Sequence, residues 1–397
     1  MMTHRRTRVL IVDDSAVMRS LLRTVVSTDP SLEVAGTAVD GASALNLLQI
    51  SHPDIILLDV EMPVMDGLAT LRALRERWRR IPVIMCSSLT QRGAKVTVEA
   101  LACGAADYVT KPSGQSDRES ALHKLAQELI PKIRALTTPQ IQPAVLAQRS
   151  FASESTRNFA ERINASASLP FLTHNSITPP PQPIFFNPSI VVIGVSTGGP
   201  AALDLLLPAL PESFPLPVLI VQHMPELFTR LLAERLDRRC PLRVREASDG
   251  DPVRAGAIYI ARGNWHMVII STALPDSPAA LRLNQDPQEN HCRPSVDVLL
   301  RSAADVYGSG VLAIMLTGMG SDGSRECRTI RELGGVVLAQ DEATSTVWGM
   351  PGAVAHAGLA NKVLPLELIA SEILRMTEQR ASTSASCLQH HIGQEVS

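Results

Sequence analysis

Aromatic residues are scarce in this 397-residue chain, with 7 Phe, 3 Trp and 3 Tyr. Stacking platforms for single-stranded nucleic acid depend on such rings, so that class is disfavoured. An excess of one charge is also lacking. Lys and Arg total 37 and Asp and Glu 39, a formal net charge of −2, which leaves no global electrostatic footprint for nucleic acid. No apolar run approaches the roughly 18 residues of a membrane span. The N-terminus, MMTHRRTRVLIVDD, is basic, but its apolar run is short and ends in two aspartates, whereas a signal peptide needs about 7–15 apolar residues and a small-residue cleavage site. Cys86, Cys103, Cys240, Cys292, Cys327 and Cys387 are scattered, with no CxxC. That points to a reducing cytoplasm and away from a disulfide framework or a structural zinc site. The expectation is a cytoplasmic chain with no nucleic-acid partner and no membrane insertion. Apolar residues, at 45%, are ample for two buried cores, and the length suits two domains of roughly 100–200 residues each.

The pattern along the chain agrees. Short apolar runs (RVLIVDD, LEVAGT, DIILLD, PVIMCS, ADYVT) alternate with amphipathic stretches over residues 7–136. Continuous runs of this kind suit parallel strands buried on both faces. In the last helical stretch, Leu122, Leu125, Leu129, Ile130 and Ile133 share one face. Five strands alternating with five helices predict a doubly wound α/β domain. Residues 137–188 hold eight of the 28 prolines, including PPPQP, and read as a linker, with 151–163 (FASESTRNFAERI) as a transient helix at most. A second α/β pattern covers 189–378: strands SIVVIGV, PVLIVQH, GVLAIML and GGVVLAQ, a β-rich stretch (AIYIA, HMVII, LRLN), and a closing helix in ELIASEILRMT. Residues 379–397 read as a polar tail.

Chemistry-bearing residues fall at the strand ends. Asp13 and Asp14 end the first strand, Asp59 the third and Ser87 the fourth, and Lys111 follows the fifth. In a parallel sheet, ligands gather beyond the carboxyl ends of strands at a switch in strand order. Three carboxylates there repel one another unless a cation neutralises them, and Mg²⁺, with its preference for oxygen ligands and phosphate, fits. A hydroxyl and an ammonium at the same edge suit phosphoryl oxygens. Any one of these residues alone is explained as a solvated strand end; the ordered set is not. Taken together they resemble the receiver domains of bacterial response regulators over about 7–136. The resemblance implies that Asp59, in LLDVEMPVMDG, accepts a phosphoryl group from a histidine kinase. It also implies that Asp13, Asp14 and Asp59 hold Mg²⁺ with the Val60 carbonyl, that Ser87 and Lys111 contact the phosphoryl group, and that Tyr108 is the switching aromatic. Pro112 fixes the backbone beside Lys111, with a cis peptide as one option.

In the second region Gly194-Val195-Ser196-Thr197-Gly198-Gly199-Pro200 follows a strand and opens a helix. Its start satisfies G-x-S-x-G, the pattern of a sharply turned, exposed serine nucleophile. A phosphate-cradling loop is the rival reading, although there is neither a Walker lysine nor a full G-x-G-x-x-G. A serine nucleophile needs a base and an orienting acid. His223 ends the next strand, and Asp322 sits in LTGMGSDG at another strand–loop–helix junction. Each has a plainer explanation, a strand-end histidine bonded to backbone and a helix cap, but three such junctions would collect serine, histidine and acid in one cleft. His266 ranks second as base, and His291 and His356 are further candidates. The order Ser…His…Asp disfavours an α/β-hydrolase, which runs Ser…Asp/Glu…His.

IGVSTGGP, VQHMP, CRPSVDVLL, LTGMGSDG and MPGAV together resemble the chemotaxis protein-glutamate methylesterase family, with similarity over about 7–136 and 189–376. The resemblance implies two doubly wound α/β domains: a flavodoxin-like receiver and a Rossmann-like methylesterase domain. It implies hydrolysis of γ-glutamyl methyl esters on methyl-accepting chemotaxis receptors, deamidation of receptor glutamines, and a chemotaxis-type histidine kinase as phosphodonor. By that resemblance Ser196 is the nucleophile, His223 the general base and Asp322 its orienter, with Thr197 and Met319 as oxyanion candidates and no cofactor for the esterase chemistry. It further implies that an unphosphorylated receiver covers the effector cleft. Two competing outputs are a domain that only binds a partner and a DNA-binding module; balanced charge and the lack of a basic helix-turn-helix-sized module disfavour the latter.

Overall fold

A computed structural model describes residues 5–112, 118–138, 186–274 and 277–378. Almost all of the expected linker, its 151–163 segment and the tail lie outside these residues. The first sheet is wholly parallel: β1 (Thr7–Val12), β2 (Leu32–Ala38), β3 (Ile55–Asp59), β4 (Val83–Ser87) and β5 (Asp107–Thr110), in the order β2-β1-β3-β4-β5. Between and after them run α1 (Ala16–Ser27), α2 (Gly41–Ser51), α3 (Gly67–Arg77), α4 (Gln91–Ala102) and α5 (Arg118–Thr137). Alternate strand residues face opposite layers. Val9, Ile11, Ile55, Leu57 and Val109 pack under α1 and α5, while Leu10, Val12, Ile56, Leu58 and Met85 pack under α2, α3 and α4. Both faces are therefore apolar, which is why the strands read as continuous runs. The helices start where side chains satisfy free N–H groups: Ser15, Asp40, Asp66 and Thr90 each accept from the first turn of α1 to α4.

The second sheet has seven parallel strands. They are β6 (Ile190–Val195), β7 (Val218–Gln222), β8 (Arg243–Glu246), β9 (Ala257–Ile260), β12 (Val311–Met315), β13 (Val336–Gln340) and β14 (Lys362–Leu364). Their order is β14-β13-β12-β6-β7-β9-β8. A separate antiparallel hairpin joins β10 (His266–Leu274) to β11 (Ser277–Asn284). The helices are α6 (Gly199–Leu206), α7 (Glu226–Asp237), α8 (Val296–Tyr307), α9 (Ser324–Glu332) and α10 (Met350–His356), with a last helix over 366–378. The two doubly wound α/β sheets match the expected fold class. Edge strands β8 and β14 escape sequence reading because RVRE and KVL are short and mostly exposed, with no run long enough to register.

Both sheets belong to one compact unit, and one apolar cluster runs from beneath α4 to α6 and α7. Strand order reverses between β1 and β3 in the first sheet and between β6 and β12 in the second. These are the two crevices where ligands gather in open α/β sheets.

Candidate active site

Ser196 lies in the turn between β6 and α6, beside the second crevice. Its N–H donates to Thr317 O at 3.0 Å, and its carbonyl accepts from Gln222 Nε2 at 2.9 Å. Thr317 Oγ1 donates to Thr197 O at 2.9 Å, tying the turn to the loop after β12. The turn closes through Gly198 at φ 80°, a left-handed conformation that a Cβ-bearing residue adopts at a cost of roughly 1–2 kcal/mol. From the neighbouring loop, Gly318 approaches so closely that a Cβ there would stand 2.8 Å from Ser196 Cβ. Backbone bonds and glycines thus fix the turn and leave the Ser196 side chain at the cleft.

The cleft is about 450 Å³ and is lined by Ser196, Thr197, His223, His291, Cys292 and Met319 among others. His223 follows β7, and its Nε2 lies 2.9 Å from Asp322 Oδ2. Asp322 is almost fully buried and does not cap α9, whose start is Gly323 with no side-chain cap. It turns instead to the start of α8. Val296 N and Asp297 N donate to it at 2.7 and 3.3 Å, Ser295 Oγ at 2.8 Å and Asn290 Nδ2 at 2.7 Å. Asp297 in turn accepts from Glu326 N in α9 at 3.0 Å, so each of these two helix starts is served by an aspartate lying beside the other. Burial alone would raise the Asp322 carboxyl, yet His223 and these donors outweigh it and hold it at about 2. Burial likewise disfavours imidazolium, but the bond to Asp322, with Cys292 on the other side of the ring, raises His223 to about 9.

His223 Nδ1 faces Cys292 Sγ at 3.8 Å, and no hydrogen bond joins it to Ser196 among the described residues. Sequence reading passed over Cys292, Asn290 and Ser295 as chemistry; CRPSVDVLL carried the signal only as a block. His266 is excluded as base: it is buried, its Nε2 bonds to Pro287 O at 3.1 Å, and its Nδ1 accepts from Ser295 N at 3.3 Å. His356 stands edge-on to the Trp348 ring instead of lining the cleft. Met319 is partly exposed at the cleft rim.

At the first crevice Asp13, Asp14 and Asp59 each bring a carboxylate oxygen within 4.8 Å of the others. Lys111 Nζ sits 2.7 Å from both Asp13 and Asp59. Burial, reinforced by the Asp13 charge, raises the Asp59 carboxyl to about 6 against the pull of Lys111. The three carboxylates form an oxygen donor set that suits a hard dication, and the Lys111 ammonium neutralises two of them. The Val60 carbonyl accepts from Gly67 N at 3.0 Å, which leaves its second lone pair for an ion. Ser87 Oγ accepts from Thr97 Oγ1 at 2.7 Å. The peptide before Pro112 is trans; among the described residues the cis peptide is Arg293–Pro294.

Tyr108 is buried and stacks on Phe228 of α7 with ring centroids 4.6 Å apart. Beside it, Thr197 Oγ1 donates to Asp107 Oδ2 at 2.6 Å, and Gly198 N donates to Ala106 O at 3.2 Å. Lys132 Nζ braces the start of β5 through Asp107 Oδ1 at 3.3 Å and Tyr108 O at 2.6 Å. The residue after Ser196 is thus held by the first domain, which also lends Asp107, Tyr108, Glu128 and Lys132 to the cleft wall.

Comparison with known proteins places this geometry. The family model for the CheB methylesterase matches residues 191–373, and that for the response regulator receiver domain matches 9–123. A protein-glutamate methylesterase/protein-glutamine glutaminase from Trichodesmium erythraeum is 44% identical over 93% of this chain and 98% of its own length. One from a Nocardioides species is 46% identical over 94% and 97%. This chain belongs to the CheB methylesterase family. A crystal structure of the Thermotoga maritima CheB methylesterase catalytic domain is 42% identical, covering 48% of this chain and 99% of that one, with a TM-score of 0.46. Within the CheB family frame, the receiver is the first sheet and the methylesterase domain the second.

Proposed function

We propose that this enzyme is a phosphorylation-activated serine hydrolase that removes methyl esters from chemoreceptor glutamates and deamidates receptor glutamines. The observation that carries the reading is the His223–Asp322 pair at 2.9 Å in the same cleft as Ser196. Ser196 Oγ attacks the side-chain carbonyl while Nδ1 of His223, in its neutral form, takes its proton, and Asp322 holds the ring by Nε2 and stabilises the imidazolium. Backbone N–H groups near Thr197 and Met319 are the candidates to face the oxyanion. The tetrahedral adduct collapses, the proton passes from His223 to the leaving group, and methanol or ammonia departs. Water then frees the carboxylate by the same route.

Asp59 is the proposed phosphoryl acceptor from a chemotaxis-type histidine kinase. Asp13, Asp14 and Asp59, with the Val60 carbonyl, would hold Mg²⁺, which would supply neutralisation of the phosphoryl oxygens. Lys111 and Ser87 then turn toward the new charge, which carries about two negative units. Lys111 leaves Asp13, and Ser87 leaves Thr97 in α4. Tyr108 and Asp107 lie on the next strand, against Phe228 and Thr197, so a shift there loosens the cover over Ser196. We place the receiver at 7–136, the linker at 137–188 and the methylesterase domain at 189–378, in a cytoplasmic setting. Mass spectrometry of methylated and amidated receptor peptides tests the chemistry: the wild type should convert both to glutamate, and Ser196→Ala should convert neither. Equal conversion by a folded Ser196→Ala variant would remove Ser196 as nucleophile.

A further inference from the structure

The face of His223 turned away from Asp322 meets a thiol. Cys292 Sγ lies 3.8 Å from Nδ1, and the cluster His223, Cys292, Asp322 has ligand atoms within 4.8 Å of one another. A tetrahedral zinc-class ion, with M–S of about 2.3 Å and M–N of about 2.0 Å, sets its sulfur and nitrogen roughly 3.5 Å apart. The observed separation is within a small side-chain rotation of that span.

Two further features favour such a chelate. Asp322 has its lone pairs occupied by five donors, so it serves as the outer partner that fixes the His223 tautomer with Nδ1 free. That carboxylate–histidine arrangement is the usual support of a metal-bound imidazole. Cys292 is also held rigidly. Asn290 and His291 both have positive φ, 53° and 61°, and Glu289 and Cys292 exchange backbone hydrogen bonds across them at 2.9 and 3.2 Å. This is the tight turn of a two-residue hairpin. The next residue, Arg293, is pinned by Asn264 Oδ1 at 2.8 Å and Gln285 O at 2.8 Å.

We propose that His223 Nδ1 and Cys292 Sγ form a reversible inhibitory chelate for a borderline-soft divalent cation of the zinc class, completed by solvent. On binding, the Cys292 S–H bond breaks, S–metal and Nδ1–metal bonds form, and the thiol proton, together with the Nδ1 proton where the ring is imidazolium, passes to solvent. The ion then holds the lone pair that would take the Ser196 proton. Inhibition therefore rests on the proposed role of His223, whereas the chelate itself rests on geometry alone.

The test uses the full chain with Mg²⁺ present throughout, so that the acidic crevice is occupied by its own ion. Co²⁺ serves as a spectroscopic probe and Zn²⁺ as the inhibitor. Wild type and Ser196→Ala should both give a near-ultraviolet thiolate-to-Co²⁺ charge-transfer band, and Cys292→Ser and Cys292→Ala should lose it. The Zn²⁺ concentration for half-inhibition, read relative to each protein's own metal-free rate, should rise by about 10–100-fold in the Cys292 variants, the loss typical of disrupting a metal site. EDTA should restore wild-type activity. The proposal is overturned if the band is absent from the wild type, if it survives in a Cys292 variant, or if Zn²⁺ inhibits wild type and variants alike. A Ser196→Ala protein that keeps both the band and full activity would refute the serine mechanism and leave the chelate standing.

Discussion

At the residue scale, Asp322 carries two tasks. It orients His223 and it receives the N-terminus of α8. Asp322→Asn keeps the shape but offers an amide where a carboxylate accepted five donors. Turnover should fall by about 10⁴-fold, the loss seen when a triad acid is amidated. Stability should fall as well, by about 1–3 kcal/mol, as buried donors lose partners. Steady-state kinetics and a denaturant melt read these separately; a loss of stability with turnover intact would contradict the triad assignment. Gly318→Ala is a second test. Its new Cβ would press on Met350 Sδ in the buried core as well as on Ser196 Cβ, so both the rate and the stability should drop. Ser196, His223 and Asp322 could be proposed from the sequence because each lies in a segment that follows one of the apolar strands β6, β7 and β12. The partners of Asp322 could not, because Asn290, Ser295 and Val296 reach it from a distant loop and helix start, and no local spacing encodes that meeting.

At the element scale, the start of β5 in the first domain is hydrogen-bonded to the nucleophile turn. In the buried Thr197–Asp107 bond the hydroxyl donates to a carboxylate oxygen, a class worth about 1.5–3 kcal/mol. Asp107→Ala should loosen the cover and raise activity without a phosphodonor several-fold, shrinking the ratio of stimulated to basal rate. Methanol release from unphosphorylated protein measures this, and an unchanged ratio would mean that Asp107 does not restrain the turn. The strands of both sheets were readable because burial on both faces leaves uninterrupted apolar runs such as VLIV and IVVIGV. β8 and β14 were hidden because edge strands bury one side at most. Tyr108 was legible as a receiver residue but not as a stacking partner of Phe228, since that contact joins residues of different domains.

At the scale of the whole molecule, the proposed function has the two crevices act in series, the acidic one receiving the signal and the cleft at Ser196 performing the hydrolysis. Asp59→Asn should therefore leave basal hydrolysis in place while abolishing stimulation by a phosphodonor. No helix among the described residues is long and apolar enough to cross a membrane. Opening must then uncover Ser196 without disturbing the His223–Asp322 pair, which lies wholly within the second domain. The most direct measurement is methanol release from methylated chemoreceptor membranes by wild type, Ser196→Ala and Asp59→Asn, each with and without a small phosphodonor. The account predicts release by wild type that the phosphodonor raises, unstimulated release by Asp59→Asn, and none by Ser196→Ala. Undiminished release by a folded Ser196→Ala protein, or full stimulation of Asp59→Asn, would contradict it.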